Sequence, residues 1–263
     1  MLLKNKIAVI YGGAGAIGSA VAHAFAQEGA KVFLAGRTKT TLEKVRNEIT
    51  KAGGIAEVAV VDALDEIAID KHLQDIVNKE GRIDISFNAT GISHKGVQGI
   101  PLLELSPEGY LLPITTYLRS NFITAKVSSK YMTLHHSGVI LTATATAGYI
   151  PFPNAGGISP TWAAMEALSR GFAVEMGPKG IRVVCLRSEG MPETPLVKEV
   201  TELFREAAKT PVEDLQKQLA DNNMLRKLPT VKEFANMAAF MASDKASSTT
   251  AAVINLSCGR IAD

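Results

Sequence analysis

The sequence predicts an α/β fold: a doubly wound parallel sheet of seven strands in one domain spanning residues 1–263. Two observations carry this. Short apolar runs rich in β-branched residues alternate with helical patterns along the chain, as strands covered on both faces require. Strict β/α alternation then implies right-handed crossovers with helices on both sides of a parallel sheet. A chain of 263 residues, 46% hydrophobic and 21% charged, can bury the core such a sheet needs.

The elements follow in order. A strand at 6–11, centred on the apolar run Ile7–Tyr11, precedes an amphipathic helix at 16–28 (AIGSAVAHAFAQEGA) and a second apolar strand at 31–35. Helix 39–52, strand 55–60, helix 65–80 and strand 83–88 continue the alternation. Beyond them come a long helix at 113–135, strand 138–144, helix 160–177, strand 181–186, helix 230–242 and strand 252–256. The segment at about 193–228 departs from the pattern, because TPLVKEVTELFREAAK and PVEDLQKQLADNN are both helical with no strand between them. It reads as a helical insertion at the carboxyl edge of the sheet, serving either as a lid or as a surface or subunit-contact pair. No Pro/Ser linker, repeat or low-complexity tract marks a domain boundary.

Composition narrows the class. No apolar run reaches the ~18 residues of a membrane helix, and no signal peptide precedes the first strand, so a cytoplasmic protein with no membrane association is expected. Cys185 and Cys258 lie in or beside apolar strands and are expected to be packing residues, with no disulfide framework and no metal site. The formal net charge of +2 comes with no basic block, so no nucleic-acid partner is expected.

The chemistry starts at residues 6–18, KIAVIYGGAGAIG. Gly12, Gly13 and Gly15 follow the first strand directly and allow a sharp turn with close approach to a ligand, while Gly18 allows the helix from Ala16 and Ile17 to pack tightly on the strand. Gly13, Gly15 and Gly18 match G-x-G-x-x-G between a strand and a helix within a βαβ unit, the context of a dinucleotide-binding Rossmann fold. A diphosphate on that helix N-terminus meets unpaired N–H groups and the positive end of the dipole. The second strand ends in Ala35-Gly36-Arg37-Thr38, without the carboxylate that usually holds the ribose diol of NAD. Arg37 with the Thr38 hydroxyl can hold a 2′-phosphate, which points to NADP(H); otherwise Arg37 is a solvated strand end.

From Lys4 to about Gly259 the chain resembles the short-chain dehydrogenase/reductase family. Tyr11–Gly18 is similar to the family's T-G-x-x-x-G-x-G turn, with Tyr11 for Thr and Ala16 for the middle glycine. Asp62, with Ala63, follows the third strand where the family holds adenine. Asn88, Ala89 and Thr90 resemble N-N-A-G, with Phe87 at the first Asn. Gly190 and Thr194 resemble P-G-x-x-x-T, whose Thr contacts the carboxamide, and Glu189 replaces the Pro. LRKLPTVKEFANMAAFMASD and VINLSCG resemble the family's C-terminal part. The resemblance implies an NADP(H)-dependent oxidoreductase acting on an unidentified small molecule, assembled as a homodimer or homotetramer through the helices at 113–135 and 160–177.

The catalytic pattern differs. Family Y-x-x-x-K precedes a helix reading A-A-x-x-A-L, and here A-A-M-E-A-L begins at Ala163, which puts Ile158 at the Tyr position and Trp162 at the Lys position. The family Ser falls on Ala145 and the family Asn on Tyr117. The wider Tyr-to-Lys spacing of enoyl reductases puts their Tyr on Ala155. Isoleucine, tryptophan and alanine cannot exchange the proton that accompanies hydride transfer, and a positioned general acid contributes ~10² to 10⁴ in rate. Ketone reduction by the family's route is therefore expected to be crippled, and two readings follow: an oxidoreductase with another proton donor, or an inactive NADP(H)-binding sensor or partner subunit. Tyr149, after the Ala147-Gly148 turn, and His94, on the loop after the fourth strand, are the candidate donors. The alternatives are a wall position for Tyr149, an exposed loop position for His94, and for Tyr117 a helix-packing site anchored by its hydroxyl. Arg187 and Glu189 could form a charged pair beside Thr194, either as structural support or to bind a substrate anion, and His135-His136 is expected at a helix end.

Overall fold

The computed structural model describes residues 1–208 and 212–262. Seven strands, β1 (Ile7–Tyr11), β2 (Lys31–Gly36), β3 (Ile55–Val60), β4 (Ile85–Asn88), β5 (Gly138–Ala145), β6 (Ile181–Ser188) and β7 (Val253–Leu256), form one parallel sheet in the order β3-β2-β1-β4-β5-β6-β7. The chain winds outward through β1, β2 and β3, then returns to lay β4 against the other side of β1. That reversal opens a crevice above the carboxyl ends of β1 and β4, where ligands of such sheets bind.

β1 shows why its apolar run is unbroken. Ala8 and Ile10 enter one core layer with Val21 and Phe25 of helix α1 (Ala16–Gln27) and Phe234 of the later helix at Val231–Ala242. Ile7, Val9 and Tyr11 enter the opposite layer with Ile69 and Leu73 of helix α3 (Glu66–Glu80), Ile123 and Val127 of helix α5 (Arg119–Met132) and Ala173 of helix α6 (Ile158–Met176). Each large aliphatic or Phe side chain so removed from water contributes roughly 1.5 to 3 kcal/mol, so the two layers together hold the sheet between its helices.

Between α1 and α3 lies α2 (Lys39–Lys51), and α7 (Pro195–Ala208), α8 (Val212–Asp221) and α9 (Val231–Ala242) complete the set. In the segment expected as a helical insertion at about 193–228, α7 and α8 follow β6, and residues 209–211 lie outside the described residues. The long helix expected at 113–135 is composite: α4 (Pro107–Pro113), a π-helical stretch at Ile114–Leu118, then α5. Pro107, Gly109 and Pro113 hid α4 as turn residues. Yet Ser106 caps it by accepting from the Gly109 N–H at 3.0 Å, and Pro at the first turn lacks only an N–H that would be unpaired there. β5 and β6 run one or two residues past their expected ends, to Ala145 and Ser188, because Arg187 is buried by an ion pair rather than turned to solvent.

Candidate active site

A cleft of about 570 Å³ lies over the carboxyl ends of β1, β2, β4, β5 and β6. Its first wall is the glycine turn. Gly12 has a left-handed φ of +68°, and a Cβ there would lie 2.5 Å from the Ala89 carbonyl oxygen, so only glycine permits this turn. A Cβ on Gly18 would lie 2.2 Å from the Gly12 oxygen, which seats α1 directly on the turn. Gly15 caps α1 without any side-chain acceptor, leaving the first-turn N–H groups to a ligand. Gly12, Gly15, Ala16 and Ile17 line the cleft. Gly13 and Gly18 do not: Gly13 donates its N–H to the Ala35 oxygen at 3.1 Å and faces Leu34, so both serve packing. This cradle fits a diphosphate.

At the end of β2, Arg37 and Thr38 are exposed and line the cleft, and the Arg37 guanidinium has no ion pair among the described residues. Asp62 and Ala63 stand opposite, with Asp62 Oδ1 accepting from the Leu64 N–H at 3.0 Å. At the end of β4, buried Asn88 donates to the Thr124 hydroxyl at 3.1 Å and accepts from the Thr90 N–H at 2.9 Å, which fixes the loop through Ala89 and Thr90 on the cleft wall. Gly190 and Thr194 line the far side, where the Thr194 hydroxyl donates to the Met191 oxygen at 2.9 Å and accepts from the Val197 N–H at 3.3 Å, capping α7.

The charged pair expected at Arg187 and Glu189 is not formed. Arg187 binds Glu166 of α6 through two contacts, Nε to Oε1 at 2.7 Å and Nη2 to Oε2 at 2.8 Å, with both side chains buried. Thr144 adds a hydroxyl to Glu166 Oε1 at 3.3 Å. Sequence reading missed Glu166, which sits inside the A-A-M-E-A-L helix motif with nothing to mark it as inward-facing. Glu189 instead accepts from the Thr146 hydroxyl at 2.9 Å and the Gly190 N–H at 3.2 Å, and lines the cleft.

At the end of the cleft between β4, β5 and β6, the wall includes Ile92, Tyr117, Ala145, Trp162 and Met165. Trp162 and Tyr117 stack with ring centroids 4.6 Å apart, and Ile158 is buried behind them with Val97 and Met165. The Tyr117 oxygen accepts from the Ile92 N–H at 3.2 Å and lies 3.1 Å from His94 Nε2, whose Nδ1 lies 2.6 Å from Gln98 Oε1. A carboxamide oxygen facing Nδ1 assigns the proton there, so Nε2 accepts from the phenol. Burial pushes the phenol up to about 12 and lowers the His94 pKa, so both groups are neutral near pH 7. His94 is buried and stands behind Tyr117 rather than on the cleft wall. Tyr149 is 59% exposed, lies outside the cleft lining, and carries the Arg187 guanidinium 5.1 Å from its ring centre. Tyr117 is anchored in the helix-packing site that its sequence position allowed. Glu199 of α7 accepts from the His94 backbone N–H at 2.6 Å and the Ser93 hydroxyl at 3.0 Å, tying the helical pair to the loop after β4.

This combination of a glycine-turn cleft on a seven-stranded parallel sheet agrees with comparison to known proteins. A family model described as enoyl-(acyl carrier protein) reductase matches residues 12–260, and the chain belongs to the short-chain dehydrogenase/reductase family of oxidoreductases. Among its relatives, the chain is 32% identical over 258 residues to the uncharacterized oxidoreductase YxbG of Bacillus subtilis, covering 94% of this chain and 88% of that one. It is 26% identical over 261 residues to the 3-oxoacyl-[acyl-carrier-protein] reductase FabG of Thermotoga maritima, covering 99% and 100%. The crystal structure of NAD+-bound xylitol dehydrogenase shares the fold, with a TM-score of 0.90 at 22% identity over 97% of this chain and 98% of that one.

Proposed function

We propose that this protein is an NADP(H)-dependent oxidoreductase in which a group other than the family's tyrosine exchanges the substrate proton. One observation supports the reading: the glycine turn, Arg37, Asp62, Asn88 and Thr194 line one cleft, while its other end presents Ala145 and Trp162 and buries Ile158, the positions that the family resemblance aligns with Ser, Lys and Tyr. The glycine turn and the α1 N-terminus hold the diphosphate. Arg37 and Thr38 hold the 2′-phosphate, Asp62 and Ala63 flank the adenine, and Asn88, Ala89, Thr90, Gly190 and Thr194 frame the nicotinamide half. The nicotinamide supplies or accepts hydride when bound, and the protein's part is to orient it against a substrate. The xylitol dehydrogenase of the same fold is NAD+-bound, and Arg37 of this chain, without an ion pair among the described residues, is the feature that favours the phosphorylated form.

Calorimetry tests the cofactor. A charge-assisted contact to phosphate is worth roughly 1.5 to 3 kcal/mol, so NADPH should bind about tenfold or more tightly than NADH. Arg37→Asp should close or reverse that gap, since a carboxylate repels phosphate and suits a ribose diol. Equal dissociation constants for the two cofactors would sink the assignment. NADPH that binds yet is consumed with no carbonyl or enone, and NADP+ that is reduced by no alcohol, in a broad panel would favour a binding-only role instead.

A further inference from the structure

We propose that Glu189 is the proton-exchanging group, its carboxylate taking the proton from a substrate hydroxyl as hydride leaves the neighbouring carbon. The inference rests on the reading of the cleft as an NADP(H) site and names the residue which that reading leaves open. Arg37 and Asp62 would hold the adenosine of a dinucleotide bound across the switch point between β1 and β4, and its reacting end would then face β4, β5 and β6. There Ala145 and Ser188 are register partners on adjacent strands, and Glu189 is the next residue. Its side chain reaches back across the strand ends to Thr146, so the carboxylate sits beside Ala145, on the cleft wall. The Thr146 hydroxyl and the Gly190 N–H each occupy one carboxylate oxygen, fixing the group's orientation while a lone pair remains on each oxygen.

Among the described residues, the other titratable groups near this end are committed elsewhere. The Tyr117 hydroxyl spends its donor on His94 and accepts from Ile92, and His94 is buried behind it. Tyr149 lies outside the cleft lining. Arg187 and Glu166 neutralise one another in the layer beneath, and a guanidinium cannot act as a base. Glu189 therefore supplies a negative charge to the wall, and Ile92, Trp162, Met165 and Met191 add apolar lining to the same cleft. That combination suits a neutral secondary alcohol with an apolar arm and disfavours a carboxylate-bearing one.

In the oxidative direction the carbinol C–H bond breaks with its electron pair leaving as hydride, which a bound oxidised nicotinamide would accept. The hydroxyl proton moves to the Glu189 carboxylate, the carbonyl forms, and the protonated carboxyl then gives its proton to water in the open cleft. Reduction runs the same steps backward. Hydride and proton account for both electrons and both hydrogens lost by the alcohol.

Two measurements on the full-length protein and its Glu189→Gln variant test this. First, dissociation constants for NADP+ and NADPH report the charge at the reacting end without turnover: loss of a carboxylate near a nicotinium cation should weaken NADP+ about tenfold relative to NADPH. Circular dichroism and an unchanged NADPH dissociation constant confirm that the variant folds. Second, kcat for oxidation of neutral secondary alcohols should fall about 10²-fold or more, with partial recovery in Glu189→Asp. An unchanged NADP+/NADPH affinity ratio, or an unchanged kcat, overturns the role of Glu189 while leaving the cofactor reading intact. A wild-type protein that binds neither dinucleotide overturns the cofactor reading and this inference with it. One that binds both and oxidises no alcohol in the panel overturns the inference.

Discussion

Trp162 and Ile158 fill the end of the cleft between β4, β5 and β6. The indole of Trp162 stacks on Tyr117, and Ile158 is 2% exposed among Val97, Tyr117 and Met165, so neither position has room for a simple exchange. Reinstating the family residues through Ala145→Ser, Ile158→Tyr and Trp162→Lys should therefore lower the melting temperature without creating ketone reductase activity. Tyrosine at a filled position costs about 1 to 3 kcal/mol in strain, and losing the ring pair costs about 0.5 to 1.5 kcal/mol more. Ordinary family rates on simple ketones in the triple variant would show that the cleft tolerates the old chemistry. Gly18→Ala is a sharper probe of the cofactor half, because its new methyl would sit 2.2 Å from the Gly12 oxygen, a backbone atom that cannot step aside. Weakened NADPH binding together with a lower melting temperature is expected, and unchanged values for both would contradict the packing described. That Gly12, Gly15, Arg37, Asp62, Asn88 and Thr194 line one cleft was legible because each stands at or soon after the carboxyl end of a strand. The Glu166–Arg187 pair was not, since the partners lie 21 residues apart on a helix and a strand and neither position carries a local signal.

At the scale of elements, alternation gave away the sheet because buried parallel strands are apolar on both faces and need no periodicity to be found. What alternation could not give is the break between α4 and α5. Pro113 removes a donor from the helical ladder, and the chain passes it through a π-helical stretch that carries Tyr117. The hold of α7 on the loop after β4 was equally hidden, since Ser93 and Glu199 are 106 residues apart. Glu199→Ala removes the acceptor for the His94 N–H and the Ser93 hydroxyl. Amide exchange at Ser93 and His94 should then speed up while that of β1 stays slow, and equal protection in both proteins would show that the contact holds nothing in place. Helix α9 offers an independent check on local energetics. Thr230 and Glu233 form a reciprocal capping box, so Thr230→Ala should cost about 1 kcal/mol in urea unfolding without altering NADPH binding.

Across the whole molecule, buried His94 and half-buried His72 set an acid limit. Burial lowers the pKa of both His72 and His94 in the folded chain. The unfolded chain then binds protons that the folded one does not, so stability is lost as pH falls below the unfolded value of about 6.5. Urea midpoints should drop between pH 7 and pH 5, and less so in His72→Gln; identical slopes in the two proteins would rule out that histidine as a source. Assembly belongs to the same scale. Phe122 of α5 and Val174 of α6 are 45% and 74% exposed, and Phe122 packs on Phe172 with ring centroids 5.9 Å apart, leaving an apolar outer face on these helices. Light scattering should find a dimer or tetramer, and a clean monomer at micromolar concentration would count against it. Lastly, the ring stacked on Tyr117 belongs to the chain's single tryptophan. All of the protein's indole emission therefore originates at the wall of the cleft, which makes the molecule its own optical reporter. Reduced nicotinamide absorbs where indole emits, so NADPH should dim that emission by energy transfer while NADP+ leaves most of it, and occupancy and oxidation state can be followed in one cuvette without a label.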